Sequence, residues 1–111
     1  MKAFKKWEIW KADVPYEEDK SKSGFRPVVI ISETEVLVLK MTTHQNSAKP
    51  KPYEYELMKW TEAGLPNKTF VQCNRFIRLN KSACTNKKYG VLQAADIIQL
   101  RAMLKYHGLI K

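Results

Sequence analysis

Apolar and polar side chains alternate from the start of the chain. Trp7 and Ile9 fall on one side and Glu8, Trp10 and Ala12 on the other, which predicts a first strand over residues 7–14 that Pro15 ends. Residues 16–25 are polar and charged without a period, the pattern of a long loop that carries function. The β-branched run Pro27-Val28-Val29-Ile30-Ile31-Ser32 predicts a strand buried on both faces. Residues 35–41, with Val36, Leu37, Val38, Leu39 and Met41, predict its partner across a tight turn at residues 32–35, so the two form an antiparallel hairpin at the centre of a sheet. Pro50 and Pro52 exclude a helix from the polar stretch 42–52. Alternation returns at residues 53–57, and residues 59–66 allow one helical turn closed by Gly64. Phe70, Val71, Phe76, Ile77 and Leu79 predict one long or bent strand over residues 69–79 with a bulge near Asn74. After a loop over residues 80–90, Ile97, Leu100 and Leu104 recur at helical spacing, with Gly108 as a stop, so an amphipathic helix is expected over residues 93–107. Five strands and one terminal helix predict a mainly β (α+β) fold. The expected form is a small, strongly bent antiparallel sheet or partly open barrel with the helix packed on it, in one domain over residues 1–111.

Charge changes this picture more than composition does. The 111 residues are 44% hydrophobic and 28% charged, which suits a globular chain with one modest core and excludes a disordered or fibrous one. Twenty Lys and Arg against eleven Asp and Glu give +9, and the excess is uneven. Residues 57–111 hold ten basic residues against only Glu62 and Asp96, so eight of the nine excess charges lie there. Such a surface attracts polyanions by counterion release; the alternative is a lysine-rich surface that only maintains solubility. The longest aliphatic run is Val28-Val29-Ile30-Ile31, far short of the roughly 18–20 apolar residues of a membrane span. The start of the chain is basic like that of a signal peptide, but Glu8 and Lys11 interrupt any apolar stretch after it, so a cytoplasmic protein without a membrane role is expected. Cys73 and Cys84 have neither a Cys-x-x-Cys spacing nor a histidine pair, and are expected as reduced, buried thiols.

Most catalytic constellations are missing. The glycines at 24, 64, 90 and 108 are isolated, so there is no phosphate loop, and His44 and His107 are too distant in sequence to suggest a metal centre or a two-histidine nuclease. The acidic run Glu17-Glu18-Asp19 reads as a solvated loop tip in preference to a magnesium site. What remains lies at strand ends. If residues 27–32 and 35–41 pair as a hairpin, Arg26 and Thr42 fall at its same open end, close enough to share a ligand. A guanidinium fits phosphate as a bidentate fork and stabilises charge on a phosphorane, and a threonine hydroxyl donates to a non-bridging oxygen. On the residues alone, an ion pair of Arg26 with the acidic loop and a turn capped by the threonines remain as alternatives.

Several blocks together resemble the MazF/PemK toxins of bacterial type II toxin–antitoxin systems, from about residue 5 to residue 110. The first strand Trp7-Glu8-Ile9-Trp10-Lys11-Ala12-Asp13 is similar to that family's opening strand, and Gly24-Phe25-Arg26-Pro27 running into Val28-Val29-Ile30-Ile31 to its Gly-x-Arg-Pro block. Lys40-Met41-Thr42-Thr43 is similar to its third-strand motif, Thr69-Phe70-Val71 through Phe76-Ile77-Arg78-Leu79 to a later strand, and Gly90-Val91-Leu92 to the lead into the terminal helix. The resemblance implies an SH3-like barrel and a ribosome-independent, metal-independent endoribonuclease that acts as a homodimer with no cofactor. It places catalysis on Arg26 and Thr42, with Thr43 as the fallback for the latter. The ribose 2′-hydroxyl would be the nucleophile, leaving a 2′,3′-cyclic phosphate and a 5′-hydroxyl, with Arg26 stabilising the phosphorane, Thr42 orienting the phosphate and the general base left open.

The substrate is expected to be single-stranded RNA, bound by Thr43, His44, Gln45, Lys49, Thr69, Arg75 and Arg78. The partner is expected to be an acidic antitoxin whose disordered tail folds over the basic groove. The chain departs from the family where many members have an acidic residue and a glutamine and this one has Asn74-Arg75. Arg75 and Arg78 are then either phosphate contacts or a solvated basic edge, His44 a base, an RNA contact or a plain loop residue, and Tyr53 and Tyr55 either base-stacking or core residues. A gyrase-poisoning toxin without nuclease chemistry and a non-catalytic SH3-like RNA-binding module are the competing functions.

Overall fold

The computed structural model describes residues 3–16, 19–43 and 51–111. Seven strands and one helix follow in the order β1 (Glu8–Pro15), β2 (Ser23–Ser32), β3 (Leu37–Thr42), β4 (Glu54–Glu56), β5 (Phe70–Gln72), β6 (Ile77–Arg78), β7 (Cys84–Val91) and α1 (Ala94–Tyr106). A single 3₁₀ turn at Lys81–Ala83 precedes β7. The antiparallel sheet has the order β4-β5-β3-β2-β1-β7, with β6 also on β3, and is bent but not closed into a barrel.

The central hairpin forms as its pattern predicts. β2 pairs β3 through Val28↔Lys40, Val29↔Leu39 and Ile30↔Val38. Alternation sends Val29, Leu39 and Ile9 into one buried cluster with Met41, Val71, Leu100 and Leu104. Val28, Ile30, Val38, Trp10, Ala12 and Val14 enter a second cluster with Phe4, Leu79 and Cys84. The sheet is therefore buried on both sides, which is why its central strands carry continuous aliphatic runs.

Three elements differ from the expectation. β2 begins at Ser23, because Ser23, Gly24 and Phe25 pair with Pro15, Val14 and Asp13, so the loop after β1 is shorter than residues 16–25. The expected single strand over residues 69–79 is two: β5 pairs Met41 and Thr42, β6 pairs Val38 and Leu37, and the chain leaves the sheet between them around Asn74. Residues 84–91, expected as loop, are strand β7 on the free edge of β1. Its exposed Asn86, Lys87 and Lys88 carry no apolar signal; pairing with β1 creates the strand.

Two glycines let the turn after β4 cross β7 at backbone contact. A Cβ on Gly90 would stand 2.1 Å from the Ala63 carbonyl oxygen, and one on Gly64, at φ +92°, 2.0 Å from that of Tyr89. Helix α1 is fixed at its first turn by Asp96, fully buried, which accepts hydrogen bonds from the Tyr55 hydroxyl (2.6 Å), the Met58 N–H (2.9 Å) and the Lys59 N–H (2.9 Å). Tyr55 is thus a core residue whose hydroxyl is engaged. At the other end of the sheet, Glu8 accepts from the Lys5 N–H, the Trp10 indole and the Lys88 ammonium (2.6 Å). Burial alone would raise its pKa, but these donors, Lys88 foremost, hold it below 4.5.

Candidate functional site

The ladder between β2 and β3 begins at Val28, next to Pro27, which has no N–H to donate. Continued by two residues, that register sets Arg26 opposite Thr42. Here the strands take other partners: Arg26 faces Ala12 on β1, and Thr42 faces Phe70 on β5. The divergence opens a cleft of about 240 Å³ lined by Phe25, Arg26, Pro27, Met41, Thr42 and Thr43. The two residues expected to carry catalysis therefore line one cleft, with Thr43 at its rim.

Arg26 Nε is buried and, among the described residues, has no hydrogen-bond partner. A buried donor without an acceptor is costly, and such groups occur where a ligand completes them. Among the described residues the Thr42 hydroxyl makes only a long contact, 3.4 Å, to the Thr43 carbonyl, so it can be redirected to a bound oxygen. Upstream, Tyr16 packs against Gly24, where a Cβ would meet its hydroxyl at 2.8 Å. A larger residue before Phe25-Arg26 would push this tyrosine away.

A second cleft of about 240 Å³ is lined, among the described residues, by Pro15, Tyr16, Lys20, Arg75, Phe76, Ile77 and Arg78, of which three are cations. It unites the end of β1 with the residues around β6. Arg78 lies 3.4 Å from Glu35, and both side chains are more than half exposed, so this pair is weak and exchangeable for a phosphate. Thr69 lies elsewhere: it is 1% exposed and donates its hydroxyl to the Asn67 carbonyl at 2.7 Å. That hydroxyl serves the turn before β5 and is not presented to either cleft. His44, Gln45 and Lys49 fall outside the described residues.

Among the described residues no three His, Cys, Asp or Glu side chains converge as metal ligands, and none of the helices is long and apolar enough to cross a membrane. Cys73 and Cys84 are buried thiols outside any disulfide, in the two separate clusters. Burial pushes the Cys73 thiol up to about 12, so it is no nucleophile near neutral pH. The chemistry available in the clefts is that of guanidinium, hydroxyl and ammonium groups.

Sequence reasoning did not find Phe25, 62% exposed on the strand beside Arg26, or the residues of β7 that face it. An aromatic residue inside the Gly-x-Arg-Pro block was the available signal.

Comparison with known proteins agrees with this architecture. No curated protein matches the chain. Among solved structures, the chain is similar to an endoribonuclease in complex with its cognate antitoxin from a Mycobacterial species, with 16% identity, a TM-score of 0.70 and 98% of each chain covered. At that identity the likeness shows a shared fold. The family described as PemK-like, MazF-like toxin of type II toxin–antitoxin system matches residues 5–107. Covering nearly the whole chain, from before β1 to the end of α1, that match makes this protein a member of the PemK/MazF-like toxins of type II toxin–antitoxin systems.

Proposed function

We propose that this toxin is an endoribonuclease that cleaves single-stranded RNA by transesterification. The observation that carries the reading is the cleft at the open end of β2 and β3, where Arg26, with a buried Nε that has no partner among the described residues, and Thr42 line one space. The scissile phosphate binds there. The Arg26 guanidinium neutralises its oxygens and stabilises the dianionic phosphorane, and Thr42 donates to a non-bridging oxygen and fixes the in-line orientation. The nucleophile is the substrate's own 2′-hydroxyl, so no protein nucleophile and no metal-activated water is required. The products are a 2′,3′-cyclic phosphate and a 5′-hydroxyl.

Lys20, Arg75 and Arg78 in the second cleft attract flanking phosphates. An acidic antitoxin segment competes for the same cations, which neutralises the toxin. The endoribonuclease and antitoxin named for the structural neighbour support this reading. A homodimer extends the groove across two copies.

The test is purified protein incubated with a long single-stranded RNA in excess EDTA, beside Arg26→Ala and Thr42→Ala. Wild type is expected to cut, Arg26→Ala to lose at least about 100-fold, the scale for one oxyanion donor, and Thr42→Ala to lose less. Intact RNA with wild type across many sequences, or equal cutting by Arg26→Ala, overturns the mechanism. Intact RNA together with gyrase-dependent DNA breaks would instead favour a gyrase poison.

A further inference from the structure

A further cleft lies on the described surface beside the one that holds Arg26 and Thr42. It is a space of about 370 Å³ lined by Lys11, Phe25, Thr85, Asn86 and Lys87, and the two clefts share Phe25. Phe25 directly precedes Arg26, and successive residues of a strand project to opposite faces. At the strand end, where both clefts open, Phe25 lines the two spaces and is the wall they share. At 62% exposed, its ring leaves much of its apolar surface to solvent on an otherwise well-packed sheet.

The rest of the lining is chosen from polar and cationic groups. The Lys11 ammonium stands 5.7 Å from the Phe25 ring centroid, Lys87 is a second cation, and no carboxylate lines the space among the described residues. Thr85 is already committed: its hydroxyl donates to the Lys11 carbonyl at 3.0 Å and accepts from the Lys87 N–H at 3.0 Å. This ties the start of β7 to β1 and sets the backbone from which Asn86 and Lys87 project. Asn86 is exposed, and its amide offers both donors and an acceptor.

We infer that this cleft is a nucleobase subsite, in which Phe25 stacks the base of a nucleotide flanking the scissile phosphate, Asn86 reads its edge, and Lys11 and Lys87 hold the adjoining phosphate. The inference rests on the RNA-cleavage reading and names the part of the substrate that selects the cut. Its physical basis is general. Single-stranded RNA is recognised by splaying bases onto aromatic faces and bonding their edges, with cations along the backbone. The volume lies within the range of about 300–1,000 Å³ for clefts that enclose small organic groups. Position supplies the functional consequence: a base seated on Phe25 places the neighbouring phosphate beside Arg26.

The experiment uses a short RNA containing a site that wild type cuts, and a series in which each flanking nucleotide in turn is made abasic. At one position, loss of the base is expected to raise KM for wild type about tenfold or more, on the scale of base–aromatic stacking. Phe25→Ala should raise KM for the intact RNA by a similar factor, show no further penalty at that abasic position, and be rescued by Phe25→Trp. Asn86→Ala should relax base preference at the same position. Exposure of Phe25 lets the variants fold, which thermal unfolding checks. If wild type cuts but Phe25→Ala keeps its KM, base preference and abasic penalty, the subsite is overturned and cleavage stands. If wild type cuts no RNA, binding of the same oligonucleotide is measured by fluorescence anisotropy. Affinity that falls with Phe25→Ala then supports the subsite without the nuclease, and affinity independent of Phe25 overturns it.

Discussion

Asp96→Asn is the substitution for which the structure gives the sharpest energetic expectation. Oδ1 of Asp96 accepts from the Tyr55 hydroxyl and the Met58 N–H, and Oδ2 from the Lys59 N–H, with no exposed surface on the residue. An asparagine of the same shape keeps one oxygen for the first two donors but turns an NH₂ toward the third. One charge-assisted bond is lost, about 1.5–3 kcal/mol, and a negative charge in the first turn of α1 is lost, about 0.3–1 kcal/mol. The expected destabilisation is about 2–4 kcal/mol, a large share of the roughly 5–15 kcal/mol that holds a small domain folded. At about 4–8 °C per kcal/mol for a domain near this size, Tm should fall by about 8–32 °C. The assay is thermal and urea unfolding followed by circular dichroism, with Tyr55→Phe and the double variant. Because the Tyr55 hydroxyl donates to the carboxylate whose charge Asp96→Asn removes, Tyr55→Phe should cost less in the Asp96→Asn background, and the combined cost should be less than the sum. The same pair sets an alkaline limit. Burial, and then the Asp96 carboxylate, raise Tyr55 above its ordinary 10.0. Stability from this shift is present below pH 10 and declines as pH rises beyond it, since the unfolded tyrosine ionises first. A Tm for Asp96→Asn within about 2 °C of wild type, or fully additive costs, would refute the account of this anchor.

Gly90→Ala should unfold the protein or cost it several kcal/mol, because the new Cβ meets the Ala63 carbonyl at 2.1 Å and backbone on both sides must move; the check is a melt beside Gly108→Ala, where no atom lies within 4 Å and only the φ of +77° resists. Glu8 predicts the acid limb: its lowered pKa gives stability that is complete above pH 4.5 and lost as pH falls through the folded value, so Glu8→Gln should flatten the fall in Tm below pH 4.5 relative to wild type. Replacing Lys20, Arg75 and Arg78 with glutamine should weaken RNA binding at low salt and reduce the slope of log K against log salt by about 0.7 for each phosphate contact removed, read by anisotropy titrations across salt concentrations.

The parts of this molecule that were legible in the sequence are those whose signal is local. The aliphatic runs of β2 and β3 announce a doubly buried hairpin, and its pairing already sets Arg26 and Thr42 at the same open end. Gly108 marks the end of α1 because a positive φ of 77° is needed there. What was hidden depends on partners distant in sequence. β7 has mostly polar side chains and exists because β1 offers an edge. The separation of β5 from β6 follows from β3, which receives them at its two ends, although the expected bulge near Asn74 lies in the gap between them. Asp96 reads as an ordinary acidic residue in a first helical turn; that it is fully buried and holds the segment after β4 is a property of the tertiary structure. Thr69 illustrates the reverse case, a hydroxyl beside a recognisable motif that folding directs inward to Asn67. Phe25 lies within the Gly-x-Arg-Pro block, but the cleft beside it is completed by β7, which the sequence pattern does not announce.

The central claim is that the phosphate between Arg26 and Thr42 is attacked by the substrate's own ribose. The most direct measurement compares two synthetic RNAs, identical except that one carries a single 2′-deoxyribose on the 5′ side of the mapped cleavage site, both incubated with wild-type protein in EDTA and analysed by mass spectrometry. The account predicts that the all-ribose strand yields a 2′,3′-cyclic phosphate and a 5′-hydroxyl, while the substituted strand binds and stays whole. Cleavage of the substituted strand at the same bond, or a 5′-phosphate on the downstream product, would contradict it.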